Sequence, residues 1–390
     1  MSAEPDAQVH TDLDEEVESG HPVTPLELFF DLVFVFAVTQ VTGLISDDPT
    51  WGGVGRGLLV LAALWFAWGA YAWLTNEIDP EEGSSRLAVL AAMGAMFVAA
   101  LAVPQAFGDD GVLFGVAYLV VRLLHIVLFA EATPHVDVHD AAIRLARTAI
   151  PGPALLVLAG FLDGGAQIAL WVLALAIDYA GPYVFGVRGF SVSADHFAER
   201  YGLVVIIALG ESIVAIGIGA AGIELSATVV FAALLGVALA SSLWWAYFDV
   251  VARVVRRKLV EARAHDRARL ARDAFSYLHL PLVAGIVLVA VGAKKTLEHV
   301  DEPLETVPAV ALCGGVALFL LAHDVIRFRT TRTVTGHRVL AALASLALIP
   351  VATRVDALGA LAVVTMVCAV LIAYETLRFR EARAAWREAV

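Results

Sequence analysis

The feature that most constrains this chain is a recurring apolar block of about 20 residues, the length a helix needs to cross roughly 30 Å of hydrocarbon. Twelve blocks can be marked, near residues 25–45, 55–75, 87–106, 112–131, 148–163, 167–186, 201–220, 227–250, 274–292, 307–326, 338–354 and 357–377. The fifth and eleventh are short, which leaves counts of eleven or ten open. Of all residues 60% are hydrophobic and 17% charged, against roughly 45–50% and about 25% in soluble domains. Backbone polar groups in lipid must be satisfied internally, and blocks this long do so as helices rather than barrel strands. The expected fold is all-α: a polytopic transmembrane bundle of about twelve spans.

Basic residues orient it. With the N-terminus placed in the cytoplasm, 21 of the 26 Lys and Arg fall in inner loops. Outer loops hold only Arg56, Lys294, Lys295 and Arg354, and Arg122 lies within a span. Both termini are therefore expected to be cytoplasmic, with the bilayer as a partner. The acidic stretch 1–24 lacks an apolar run and a basic n-region, so it reads as a solvated tail rather than a signal peptide. Residues 378–390 read as a basic helix near anionic headgroups. The basic loop from Arg253 to Arg272 is interrupted by Glu261, Asp266 and Asp273. Positive-inside topology explains it without nucleic acid, and it is expected to prolong the eighth span. Cys313 and Cys368 lie inside apolar blocks and read as small buried hydrophobes.

The chain shows weak self-similarity. A shift of 172 residues lays Glu27 on Glu199, Val33 on Val205, Trp73 on Trp245 and Glu77 on Asp249. A shift of 198 or 199 lays His125 on His323 and Pro151 on Pro350, while the sixth and twelfth spans do not align. Transporter folds are often built from such repeats. Two parallel six-helix halves, 25–190 and 191–377, are the organisation this suggests.

Two stretches, "TPLELFFDLVFVFAVTQV" (Thr24 to Val41) and "HFAERYGLVVIIALGESIVAIG" (His196 to Gly217), resemble signature segments of the bacterial low temperature requirement A (LtrA) family. The resemblance extends from about Pro22 to the last span. It implies a bacterial multi-pass membrane protein linked by its family name to growth in the cold, and it supplies no catalytic residue or mechanism.

Candidate site residues therefore come from the polar groups inside spans. An ionised carboxylate at mid-bilayer costs ~2.5–3.5 kcal/mol on insertion scales. Glu211, near the centre of the seventh span with Ser212 beside it, has to be protonated, paired or wetted. It is the leading candidate for proton or ion handling; the alternative is a neutral acid bonded between helices. Gly210, Gly217 and Gly219 around it allow close packing or mark a local break. Glu27 and Asp31 share a helix face with Thr42 and are expected to line the cytoplasmic approach. For Glu27, helix-dipole complementation after Pro25 serves as well. Asp178, Asp249, Arg122, His125 and His323 complete the candidate pathway, as relay groups or as internal pairs that fix packing. Asp195, His196, Glu199 and Arg200 are expected to cap or snorkel at the interface.

No HExxH, CxxC, GxSxG or P-loop spacing is present, so no cofactor is expected. His135, Asp137, His139 and Asp140 cluster beside Pro134, where a solvated linker is favoured over a metal site. Trp244, Trp245, Tyr247 and Phe248 form either an aromatic belt or a stacking surface. The leading function is a secondary transporter or exporter of a small solute coupled to protons. A membrane-embedded enzyme acting on a lipid or isoprenoid, with His125, His323, or His196 with Glu199, as acid–base groups, is the alternative. A non-catalytic role in membrane adaptation is the third.

Overall fold

The computed structural model describes residues 22–132, 146–147, 149–187 and 192–380. The His135–Asp140 cluster, expected to be a solvated linker, most of the acidic tail and residues 381–390 lie outside these. Among the described residues the chain forms α1 (Pro25–Asp47), α2 (Trp51–Leu74), α3 (Gly83–Gln105), α4 (Gly111–Ala132), α5 (Pro151–Ala159) and α6 (Gly164–Val184). There follow α7 (Ala194–Gly219), α8 (Ala227–Glu261), α9 (Asp266–Glu298), α10 (Thr306–Thr331), α11 (Gly336–Ala352) and α12 (Ala357–Arg378). Ten are long and apolar enough to cross a membrane. The other two are α5, nine residues long, and α11, which breaks at Leu348 just before Pro350. Nine residues of helix reach only about 14 Å.

Local chemistry fixes the helix starts. Thr24 caps α1: its hydroxyl accepts from Glu27 N while the Glu27 carboxylate accepts from Thr24 N, with Pro25 in the first turn. This reciprocal arrangement satisfies two donors a helix start leaves unpaired. Thr50, Ser226 and Asp356 cap α2, α8 and α12 with side-chain oxygens. The basic stretch after Ala246 does prolong α8, through a π-helical turn at Tyr247–Val251. A second π turn, Ala271–Tyr277, interrupts α9.

Large apolar side chains cover the outside of the bundle, among them Leu32, Val127, Phe231, Leu234, Leu343 and Met366. Such a surface suits lipid, since soluble monomers rarely expose contiguous apolar patches of that extent. Trp244 and Trp245 belong to this face, whereas Tyr247 is buried.

Within the bundle, helix pairing recurs. In the first half α1 packs on α2 and α3, α3 on α4, α4 on α5, α5 on α6, and α2 on α4 and α6. In the second half α7 packs on α8 and α9, α9 on α10, α10 on α11, α11 on α12, and α8 on α10 and α12. Each of these pairs has a counterpart under a six-helix shift, while α8–α9, α9–α12 and α10–α12 pack closely only in the second half. The short helices α5 and α11 also occupy matching places. The halves meet where α1 lies against α7 and α9.

Candidate functional site

The α1–α7 contact carries polar groups at two levels. At the first, near the start of both helices, four ionisable side chains interlock. Asp31 accepts from Arg200 Nη1 at 3.1 Å and from the Trp68 indole of α2 at 2.8 Å. Glu27 lies 3.1 Å from His196 Nε2 and 3.6 Å from Arg200 Nε. All four are at most 5% exposed. His196 and Arg200 are four residues apart on α7, as Glu27 and Asp31 are on α1, so each pair presents one helix face to the other. The Arg200 fork between two carboxylates is the geometry in which a buried cation holds best.

This corrects one expectation. His196 and Arg200 do not cap or snorkel at an interface but are buried in the pairing. Asp195 and Glu199 do face outward, and Asp195 accepts from Arg256 at 2.7 Å.

Eight residues along α1, about 12 Å, lies the second level. Thr39 donates to Glu211 Oε2, and Thr42, whose hydroxyl donates to Val38 O at 3.1 Å, lies beside the same carboxylate. Glu211 and Ser212 are 1% and 2% exposed. Ser212 bonds only back to its own helix, at Ala208 O. Between the two levels both helices carry buried apolar side chains, Phe34, Ala37 and Val38 on α1 and Val204, Val205 and Ala208 on α7. Beyond Glu211, α1 continues with Ser46 and Asp47, and Lys294 of α9 lies 3.9 Å from Asp47. Gly219 lets α7 approach α9: a Cβ there would sit 2.8 Å from Lys294 O. Gly210 and Gly217 face open space, so close packing explains only one of the three glycines.

The remaining sequence candidates gather elsewhere. Arg122, His125 and Asp178 lie inside the first half, where Tyr118 of α4 donates to Asp178 of α6 at 3.0 Å. His323 lies inside the second half, with Nδ1 2.9 Å from Phe319 O and its ring beside Tyr247. Asp249 sits in the π turn of α8. His125, His196 and His323 are thus in three separate places.

Several residues of this interior carried no earlier signal. Ser276, in the π turn of α9, receives Trp73 Nε1 on its hydroxyl at 2.8 Å and Trp65 Nε1 on its carbonyl at 2.7 Å, with Tyr201 OH 2.9 Å away. It fastens α2 and α7 to α9. Tyr247 and His279 share a 2.8 Å bond. Arg338, counted only as an inner-loop charge, makes a two-point bond to Glu375 at 2.7 and 2.8 Å, with His337 on the same carboxylate. Thr39 could have been found: it precedes Glu211 by the 172 residues of the repeat shift. Among the described residues no group of three or more His, Cys, Asp or Glu is placed to hold a metal ion.

Ten membrane-length helices around a buried ionic and carboxylate seam define a polytopic all-α membrane protein. The chain belongs to the bacterial low temperature requirement A protein (LtrA) family, whose model matches residues 22–373. A curated relative, the uncharacterized protein RA0937 of Rhizobium meliloti (strain 1021), is 32% identical over 312 residues, covering 75% of this chain and 74% of its own. No solved structure matches the chain.

Proposed function

We propose that this protein is a proton-coupled secondary transporter or exporter of a small solute in the bacterial cell membrane, with both termini cytoplasmic and the α1–α7 seam as its moving contact. The observation that carries the reading is Glu211, a carboxylate at mid-helix bonded across the seam to Thr39 of the other half. Protonating or deprotonating this group changes what it can bond to, and so biases one packing of the halves over another. The Glu27–His196–Arg200–Asp31 cluster acts as a latch at the cytoplasmic end. It holds α1 to α7 in the closed form, where Glu211 is sealed from solvent.

A neutral acid serving only as glue between α1 and α7 would leave flux untouched when replaced by its amide. Glu211→Gln, which keeps a hydrogen-bonding group for Thr39, discriminates the two. In liposomes carrying a pH-sensitive dye, the wild type is expected to move protons when a transported solute is added, and Glu211→Gln protein to insert normally without coupled flux. Undiminished coupling in well-folded Glu211→Gln protein would reduce the acid to a packing element. The three separated histidines lend no support to shared acid–base chemistry on a lipid.

A further inference from the structure

Three arginines are buried among the described residues: Arg122, Arg200 and Arg338, at 2%, 1% and 5% exposure. Two are matched by carboxylates, Arg200 by Asp31 and Glu27, Arg338 by Glu375. Arg122 is different. Its Nε and Nη1 carry no hydrogen bond, and its one close neighbour on a face is the Phe66 ring, 4.8 Å from the guanidinium carbon. A cation over a ring contributes about 0.5–2 kcal/mol, and the counter-charge that Arg122 faces, Asp178, takes its hydrogen bond from Tyr118 instead.

The groups around Arg122 are also incomplete. His125, one turn along the same face of α4, has its ring against Tyr71 and the Ala70 backbone, and its Nδ1 is without a partner. Asp178 takes Tyr118 OH on Oδ2, while Oδ1 is buried and unbonded. Oδ1 lies over Gly152 at the start of α5, where a Cβ would come within 2.6 Å of it. Tyr118, Arg122 and His125 are spaced i, i+4 and i+7 and so share one face of α4, and the Tyr118 bond ties Asp178 to that face. Four buried polar atoms on three residues along this face are thus without a hydrogen bond, two of them donors on a cation, one a carboxylate oxygen and one a ring nitrogen. Buried polar groups are satisfied in the great majority of proteins.

We propose that this cluster is a binding site for a small zwitterion of the α-amino-acid type, its carboxylate on Arg122 and its ammonium group on Asp178 Oδ1. A guanidinium fork matches a carboxylate, and a carboxylate oxygen matches an ammonium group. A ligand with both charges brings no net charge into the bundle. Phe66, Tyr71 and Tyr118 are the aromatic side chains against these groups. The site's role as a cargo site rests on the transport reading; its occupancy does not.

The test uses purified full-length protein in detergent and its melting temperature. Glycine, L-alanine, L-leucine and L-glutamine are the probes, with propionate and propylamine as single-charge controls. At least one zwitterion is expected to raise the melting temperature saturably while both controls leave it unchanged. Arg122→Gln is expected to weaken that response at least about tenfold without lowering the unliganded melting temperature, and Asp178→Asn to weaken it as well. If Arg122→Gln does not fold, Arg122→Lys, which keeps the charge but not the fork, is read by the same criterion. The site is overturned if no zwitterion shifts the wild type, if the controls shift it equally, or if the arginine variant responds as the wild type does. Glu211→Gln protein is expected to bind normally, so failure here and failure of proton coupling are separate results.

Discussion

Arg200 reaches Asp31 across 169 residues of sequence, and neither side chain is compatible with the bundle interior without the other. Removing one member of such a pair leaves a charge with no counter-charge, a loss of about 3–5 kcal/mol in buried pairs. Arg200→Gln is expected to lower unfolding stability by that order and Asp31→Asn by less, because Trp68 and Arg200 can still donate to the amide oxygen. Equilibrium unfolding in mixed micelles measures both, and the double variant should be less destabilised than the two effects added together, since each single change already breaks the pair. Glu27, Asp31 and Glu211 were legible in the sequence as acids where lipid should be. Their partners were not, because hydropathy scores a residue alone and cannot say that Arg200, drawn as an interface charge, turns inward. Trp68 was invisible for the opposite reason: an indole in an apolar block is unremarkable until its N–H is found on Asp31.

At the scale of elements, α9 and α10 make a backbone contact that sets the core of the second half. A Cβ on Gly285 would sit 2.8 Å from Gly315 O, and one on Gly315 would sit 2.8 Å from Gly285 O and Val289 N. Small residues at helix crossings allow this approach in membranes, where packing rather than water expulsion drives association. Gly315→Val is expected to destabilise by about 1–3 kcal/mol, the usual range for overpacking. Gly94→Ala, on α3 where a Cβ meets nothing within 4 Å, should be neutral or slightly stabilising. Melting temperatures of the two variants in one detergent check the contrast. The existence and order of the helices were readable, since each block is long and apolar. The π turns at Tyr247–Val251 and Ala271–Tyr277 were not. A π turn is a change of hydrogen-bond register, and composition does not encode register. With it went the role of Ser276, whose carbonyl and hydroxyl collect two tryptophans only because the turn presents them.

For the molecule as a whole, the weak 172-residue self-similarity acquires weight from packing: every helix pair of the first half has a counterpart in the second, and α1 joins them along α7 and α9. The sixth and twelfth spans, which fail to align, share two contacts, with the preceding short helix and with α2 or α8, while α12 also packs on α9 and α10. If transport proceeds by one half rocking against the other, the latch end of the seam has to part in every cycle. Glu27→Cys/His196→Cys, in a background with the buried Cys313 and Cys368 replaced by Ala, places two thiols where the wild type has side chains 3.1 Å apart. A short bis-methanethiosulfonate reagent, which forms a reducible disulfide with each thiol and expels methanesulfinate, can then bridge α1 and α7. The double variant is expected to carry flux before bridging, because Asp31 and Arg200 still close the seam reversibly. Flux should cease on bridging and return on reduction. Flux that continues through a bridged seam would mean that α1 and α7 move as one body, and the moving contact would have to be sought between other helices.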